Sequence, residues 1–174
     1  MSLFFFTGLI DEYSITLSDE TASLLIGGTK ALTATVTPEG TEVDWQSSDE
    51  TVATVTNGTV TALAAGTANI TATVGTGDDE ATATCVVTVT SPSVTIDETA
   101  TVTVTAGDTH TKTLTATTVP ADAEVTYTSS DENVATVSDA GVITAVAVGT
   151  ATVTAKITVN GTDYTDTCAV TVEA

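Results

Sequence analysis

Basic residues are almost missing from this chain of 174 residues. There is no arginine; Lys30, Lys112 and Lys156 are the entire basic set, and 23 acidic residues leave a formal charge of −20. A nucleic-acid surface needs a basic stripe to displace phosphate counterions, and an anionic membrane surface asks for the same, so neither is expected as a partner. No stretch reaches the ~20 apolar residues of a membrane-spanning helix, and membrane insertion is not expected. Aromatics make up only 4% and histidine occurs once, as His110 in AGDTHTKT, which leaves little for a sugar-stacking platform or a general base near neutral pH. The start, MSLFFFTGLIDEYS, has neither a basic leader nor an A-x-A cleavage pattern, and does not read as a secretion signal. Release by lysis, or origin as a piece of a longer protein, is the expectation that follows.

What the chain does have is threonine, 44 residues of it, with alanine and valine supplying much of the rest. It also says things twice. SSDETVATV at 47–55 returns as SSDENVATV at 129–137. The offset is 82 upstream, pairing Leu32, Pro38, Val43 and Trp45 with Leu114, Pro120, Val125 and Tyr127. After the turns NGT and DAGV it is 83, pairing Gly66, Ile70, Val74 and Cys85 with Gly149, Val153, Ile157 and Cys168. One inserted turn residue accounts for the change, and a repeat of this length predicts two domains. Within each copy the period is two. In GTANITATV, Ala68, Ile70, Ala72 and Val74 alternate with Thr67, Asn69, Thr71 and Thr73, the pattern of a strand with one buried and one wet face. Threonine suits the wet face because its branched Cβ favours extended backbone while its hydroxyl stays solvated.

Turn signals recur at short spacing, including PEGTE at 38, NG at 57, GTGDD at 75, DAG at 139 and NGTDY at 160, and no segment has helical period. The expected fold is therefore all-β, two tandem β-sandwiches at 13–90 and 94–174 joined by SPS at 91–93, a linker short enough to predict a semi-rigid rod. In the repeated phrase, Ser47 to Glu50 and Ser129 to Glu132 have the Ser-x-x-Glu spacing of a capping box, so the phrase is read as scaffold: serine caps a short helical turn and glutamate reaches back.

These residues also carry a resemblance. The run SSDETVATV…NGTVTALAAGTANITATV…ATCVVTV and its partner SSDENVATVSDAGVITAVAVGTATVTAKI…DTCAVTV resemble the bacterial immunoglobulin-like group 2 domain. The resemblance implies Ig-like sandwiches used as spacers or adhesive modules in bacterial surface proteins and phage virion proteins, and implies no catalytic activity and no cofactor.

Candidate chemistry is sparse. Each repeat has one cysteine, Cys85 or Cys168, so the Ig-type bridge within one sandwich is unavailable and both are expected as small buried apolar residues. Asp78, Asp79 and Glu80, or Asp163 and Asp166, offer oxygen ligands without any calcium-loop spacing, and solvated loop charge is the expected reading. The sequons at Asn57 and Asn160 double as Asn-Gly hairpin turns; a third lies at Asn69. Trp45 and Tyr127 share an inward position, leaving Tyr13 and Tyr164 as tyrosines for any weak cell-surface glycan contact. The leader differs from all this: Leu3, Phe4, Phe5, Phe6, Leu9 and Ile10 hold every phenylalanine of the chain ahead of the first repeat. So greasy a segment is expected to be covered, and residues 1–12 are read as an attachment peptide for a protein lattice, capsid or tail, or for other copies of the chain. The function expected is that of a nonenzymatic phage virion accessory protein at the virion surface. The alternative is a stalk or adhesive module of a bacterial surface adhesin, at the cell surface or extracellular.

Overall fold

The alternation in GTANITATV becomes a nine-residue strand whose Ala68, Ile70, Ala72 and Val74 are buried while its threonines face outward. The computed structural model describes residues 12–97, 102–105 and 111–173. It divides between Ser91 and Pro92 into two units, each with its own core.

Unit 1 holds β1 (Ser14–Leu17), β2 (Thr21–Leu25), β3 (Thr29–Ala31), β4 (Ala34–Thr37), β5 (Asp44–Ser47), β6 (Ala53–Thr56), β7 (Thr59–Ala62), β8 (Gly66–Val74) and β9 (Ala81–Thr90). One layer has the order β2-β9-β8-β5, with β2 parallel to β9 and the other pairs antiparallel. The facing layer is built from two ladders, β3-β7-β6 and β1-β4. The chain from Thr29 to Thr37 belongs to both, pairing with β7 in its first half and with β1 in its second. Leu32, Val52, Ala53, Val60 and Ala62 from this layer meet Ala68, Ile70, Cys85, Val87 and Val89 from the other. Ile15, Ala72 and Val74 extend the core toward the start of β1. This is the Ig arrangement, two sheets facing across alternating inward residues.

Unit 2 repeats it strand for strand. β10 (Ser93–Ile96), β11 (Val102–Thr105), β12 (Thr111–Thr113), β13 (Ala116–Val119), β14 (Thr126–Ser129), β15 (Ala135–Val137), β16 (Val142–Ala145), β17 (Gly149–Val159) and β18 (Thr162–Glu173) form the ladders β11-β18-β17-β14, β12-β16-β15 and β10-β13. Its core is Val, Ile and Ala with Leu114 and Cys168, and Tyr127 packs at its margin as Trp45 does in unit 1. Both prolines of the shared register, Pro38 and Pro120, follow cis peptide bonds.

The hairpin signals are realised in the backbone. Asn57-Gly58 joins β6 to β7 and Asn160-Gly161 joins β17 to β18, all four residues having φ between 49° and 79°. That is the primed turn, whose twist matches paired strands. Gly58 has a second role: its carbonyl accepts the Leu32 N–H at 2.8 Å, and a Cβ there would lie 2.6 Å from the Leu32 carbonyl oxygen. Gly141 does the same beside Leu114 in unit 2.

Candidate functional site

The repeated phrase is scaffold, but by a different device from a capping box. Asp49, not Ser47, closes the turn: its Oδ1 accepts the Thr51 N–H at 2.9 Å and the Thr51 hydroxyl at 2.6 Å, while its carbonyl accepts from Val52 and Ala53. Asp131 does this with Asn133 in unit 2. The first serine instead donates its hydroxyl across to the Ala53 or Ala135 carbonyl, at 2.6 and 2.7 Å. The second, Ser48 or Ser130, exchanges bonds with the backbone of Asn69 or Thr152 in the neighbouring long strand. Glu50 and Glu132 stay exposed. Aspartate wins because it sits two residues before the donor it must reach, the geometry of an N-cap. Its bonds to Thr51 hold the Asp49 carboxyl below the ordinary carboxylate value.

The remaining acidic candidates are spread among separate structural jobs. Asp163 accepts from Thr158 at 2.6 Å and pairs with Lys156 at 3.1 Å, which lowers its pKa in that order of cause. Asp19 accepts from Ser18 and from Lys30 at 3.0 Å, and is lowered likewise. Asp78 and Asp79 lie in a single exposed 3-10 turn, Gly77–Asp79. Among the described residues no three His, Cys, Asp or Glu side chains converge on a metal-sized space. Asp166 serves the backbone: Oδ2 accepts the Ile96 N–H at 2.8 Å and Oδ1 the Thr167 N–H at 2.9 Å, so one carboxylate ties β10 to β18.

Cys85 and Cys168 are buried thiols, as the period-two pattern predicts, and burial pushes the Cys85 thiol up. Tyr127 is also raised by burial, with Asp97 adding to it. Tyr13 and Tyr164, the tyrosines left for a sugar, are half-buried against core clusters instead. Tyr13 lies over Gly75, where a Cβ would meet its ring at 2.7 Å. Beside it a groove of about 520 Å³ is bordered by Glu42, Val43, Asp44 and Glu80. A second groove, of about 390 Å³, runs along the flank of unit 1 between β1 and β9, lined by Ile15, Leu17, Glu20, Ala83 and Thr84. His110 and the leader residues Leu3, Phe4, Phe5, Phe6, Leu9 and Ile10 lie outside the described residues.

Sequence reasoning did not single out the exposed apolar loops between β7 and β8 and between β16 and β17. Leu63 is 48% exposed there, and its counterpart Val146 is 51% exposed with Val148 at 61%. The signal was present in ALAAGT and AVAVGT, which break strand alternation with three apolar residues before the glycine.

The ladder order, the two-layer core and the repeated turn are matched by family. Residues 13–85 match the model for the bacterial Ig-like domain (group 2), and residues 123–174 match that for a bacterial Ig-like domain. The chain is a tandem of bacterial Ig-like domains. An uncharacterized protein of Clostridium acetobutylicum is 36% identical to it over 149 residues, 83% of this chain and 15% of that protein. The minor capsid protein of Enterobacteria phage T3 is 44% identical over 69 residues, 38% of this chain and 16% of that protein. The Ig-like tandem thus spans about 15% of the length of the curated relatives it matches. Among solved structures, domains 4 and 5 of the S-layer protein SbsC align over 94% of this chain and 98% of that chain, at 24% identity and a TM-score of 0.42.

Proposed function

We propose that this Ig-like tandem is a nonenzymatic structural protein displayed on a phage particle, attached through Leu3, Phe4, Phe5, Phe6, Leu9 and Ile10 to a protein lattice of capsid or tail, with its two sandwiches presented to solvent. The observation that carries this reading is the 44% identity over 69 residues to a minor capsid protein. The side chains support it in a plainer way. The carboxylates are committed to turns, ion pairs and backbone amides in separate places, and the described aromatics are half-buried, so the surface offers threonine and negative charge. Such a surface keeps neighbouring copies apart at high local density. Weak contact with a cell-surface glycan would then depend on copy number, each site alone being feeble.

A second reading has its own support. The Clostridium acetobutylicum relative matches most of this chain with a small part of its length, as a spacer or adhesive module in a long bacterial surface protein would. The flanking genes separate the readings: portal, terminase and capsid genes go with the first, an upstream export signal and a wall-sorting motif with the second. Deleting residues 1–10 is the direct test of attachment. The first reading expects loss of incorporation into particles with both sandwiches still folded by circular dichroism, and unchanged incorporation would end it.

A further inference from the structure

The two sandwiches differ at one seam, and the difference exposes a strand-receiving edge. In β9 the Val86 N–H points toward the β2 side, where it donates to the Glu20 carbonyl. By the alternation of a strand, Thr84 and Thr82 point the same way. β2 pairs only with Val86 to Thr90, so the stretch Ala81–Cys85 has no strand on that flank among the described residues. β1 is equally open opposite: Ser18 donates inward to Thr33, which turns the N–H of Leu17 outward, into the groove between β1 and β9.

Unit 2 has the same two amides and closes them. Ile96 stands where Leu17 stands, each pairing with the equivalent alanine, Ala116 or Ala34, and Thr167 stands where Thr84 stands. There the Asp166 carboxylate takes both, Ile96 N–H at 2.8 Å and Thr167 N–H at 2.9 Å. Unit 1 has Ala83 at the position of Asp166, so the staple is missing and no side chain among the described residues takes its place. Two facing strand edges with unmet donors beside Ile15 and Leu17 form a place for an extended apolar peptide to add as a strand.

We propose that this seam receives the Leu3–Ile10 segment of a second copy of the chain; the proposal rests on reading that segment as the attachment peptide and names its partner. The segment fits in length, since eight extended residues cover about 26 Å at ~3.3 Å per residue, against about 17 Å for the five open residues of β9. It is uncharged, and it has large apolar side chains at both odd and even positions, so either register turns some of them toward Ile15 and Leu17. A return onto its own β1 is disfavoured. A three-residue hairpin would need Tyr13 left-handed, yet Asn57 and Asn160 are the non-glycine residues with positive φ among those described. A two-residue primed turn would fall on Asp11-Glu12, without glycine or asparagine. Because the leader and the flank are different surfaces, association through them is head-to-flank and does not close on itself.

The test uses the full chain, the chain lacking residues 1–10, and Ala83→Asp, which grafts unit 2's staple into unit 1. Sedimentation should show the full chain associating with rising concentration, and both variants monomeric with unchanged circular dichroism. Hydrogen exchange should show the Leu17 and Thr84 amides at least tenfold slower in the associated full chain than in the shortened one, a readout that stands even if Ala83→Asp does not fold. A full chain that stays monomeric, a folded Ala83→Asp chain that associates like its parent, or unprotected amides would overturn the seam as receiver. Protection of those amides in a monomer would also overturn it, since the segment would then cover its own unit. Particle incorporation separates this from the attachment reading: if deletion abolishes incorporation while Ala83→Asp associates unchanged, the attachment peptide stands and the seam falls.

Discussion

At the scale of single residues, the two copies reuse the same few side chains for geometry. Asp49 is the plainest case. Its folded pKa is lowered by the bonds from Thr51, so its contribution to stability is complete above the ordinary value of 3.8 and is lost as pH falls through the lowered folded value. Asp49→Ala should therefore lower the melting temperature of unit 1 at neutral pH, and the deficit should narrow as melts are recorded stepwise below 3.8. A deficit that stays constant into acid would mean that the carboxylate is not the capping group. Gly58 is fixed by shape rather than charge. With φ at 78° and the Leu32 carbonyl oxygen 2.6 Å from a built Cβ, Gly58→Ala should destabilise by at least about 1 kcal/mol in urea unfolding. An alanine at the exposed Gly40, where nothing lies within 4 Å, meets only the backbone preference and should cost less.

Individual strands show most clearly where a linear reading succeeds. GTANITATV and GTATVTAKI announce one buried and one wet face, and β8 and β17 have it, because burial in a two-layer sandwich follows strand period directly. The Asn-Gly turns were legible for a similar reason, since φ > 0 is a local demand met by few residue types. The Ser-x-x-Glu phrase was located correctly and its mechanism was not. Ser47 has an acceptor six residues away, the Ala53 carbonyl, that only strand packing brings near, and it prefers that bond to a cap. Asp166 was similarly opaque, since its two amide partners come from β10, 70 residues back in sequence, and from its own neighbour Thr167. The buried face of β8 carries the test of core packing. Ile70 is fully buried at the centre of unit 1, and Ile70→Ala should cost about 2–5 kcal/mol, read as a loss of unit 1 stability in chemical denaturation. Thr71→Ala, one residue along and on the wet face, should cost well under that.

For the molecule taken whole, charge governs the surface outside the cores. A formal charge of −20 with two ion pairs in the described residues, Lys30–Asp19 and Lys156–Asp163, means that most carboxylates repel one another through solvent. Salt screens such repulsion within about 10 Å at ~0.1 M, so melting temperature should rise as sodium chloride is added from low ionic strength; a fall would mean that attractive pairs outweigh repulsion. The sequence by itself determined the all-β class, the duplication, the inward and outward faces and the primed turns, because each is set by local conformation or by a period of two. Tertiary structure alone decided which serine bonds to which carbonyl, that the leftover tyrosines pack on the cores, and that one carboxylate closes a seam in unit 2 which alanine leaves open in unit 1. Those outcomes depend on strands far apart in the chain lying a few ångströms from one another, and such proximity leaves no periodic trace in the letters.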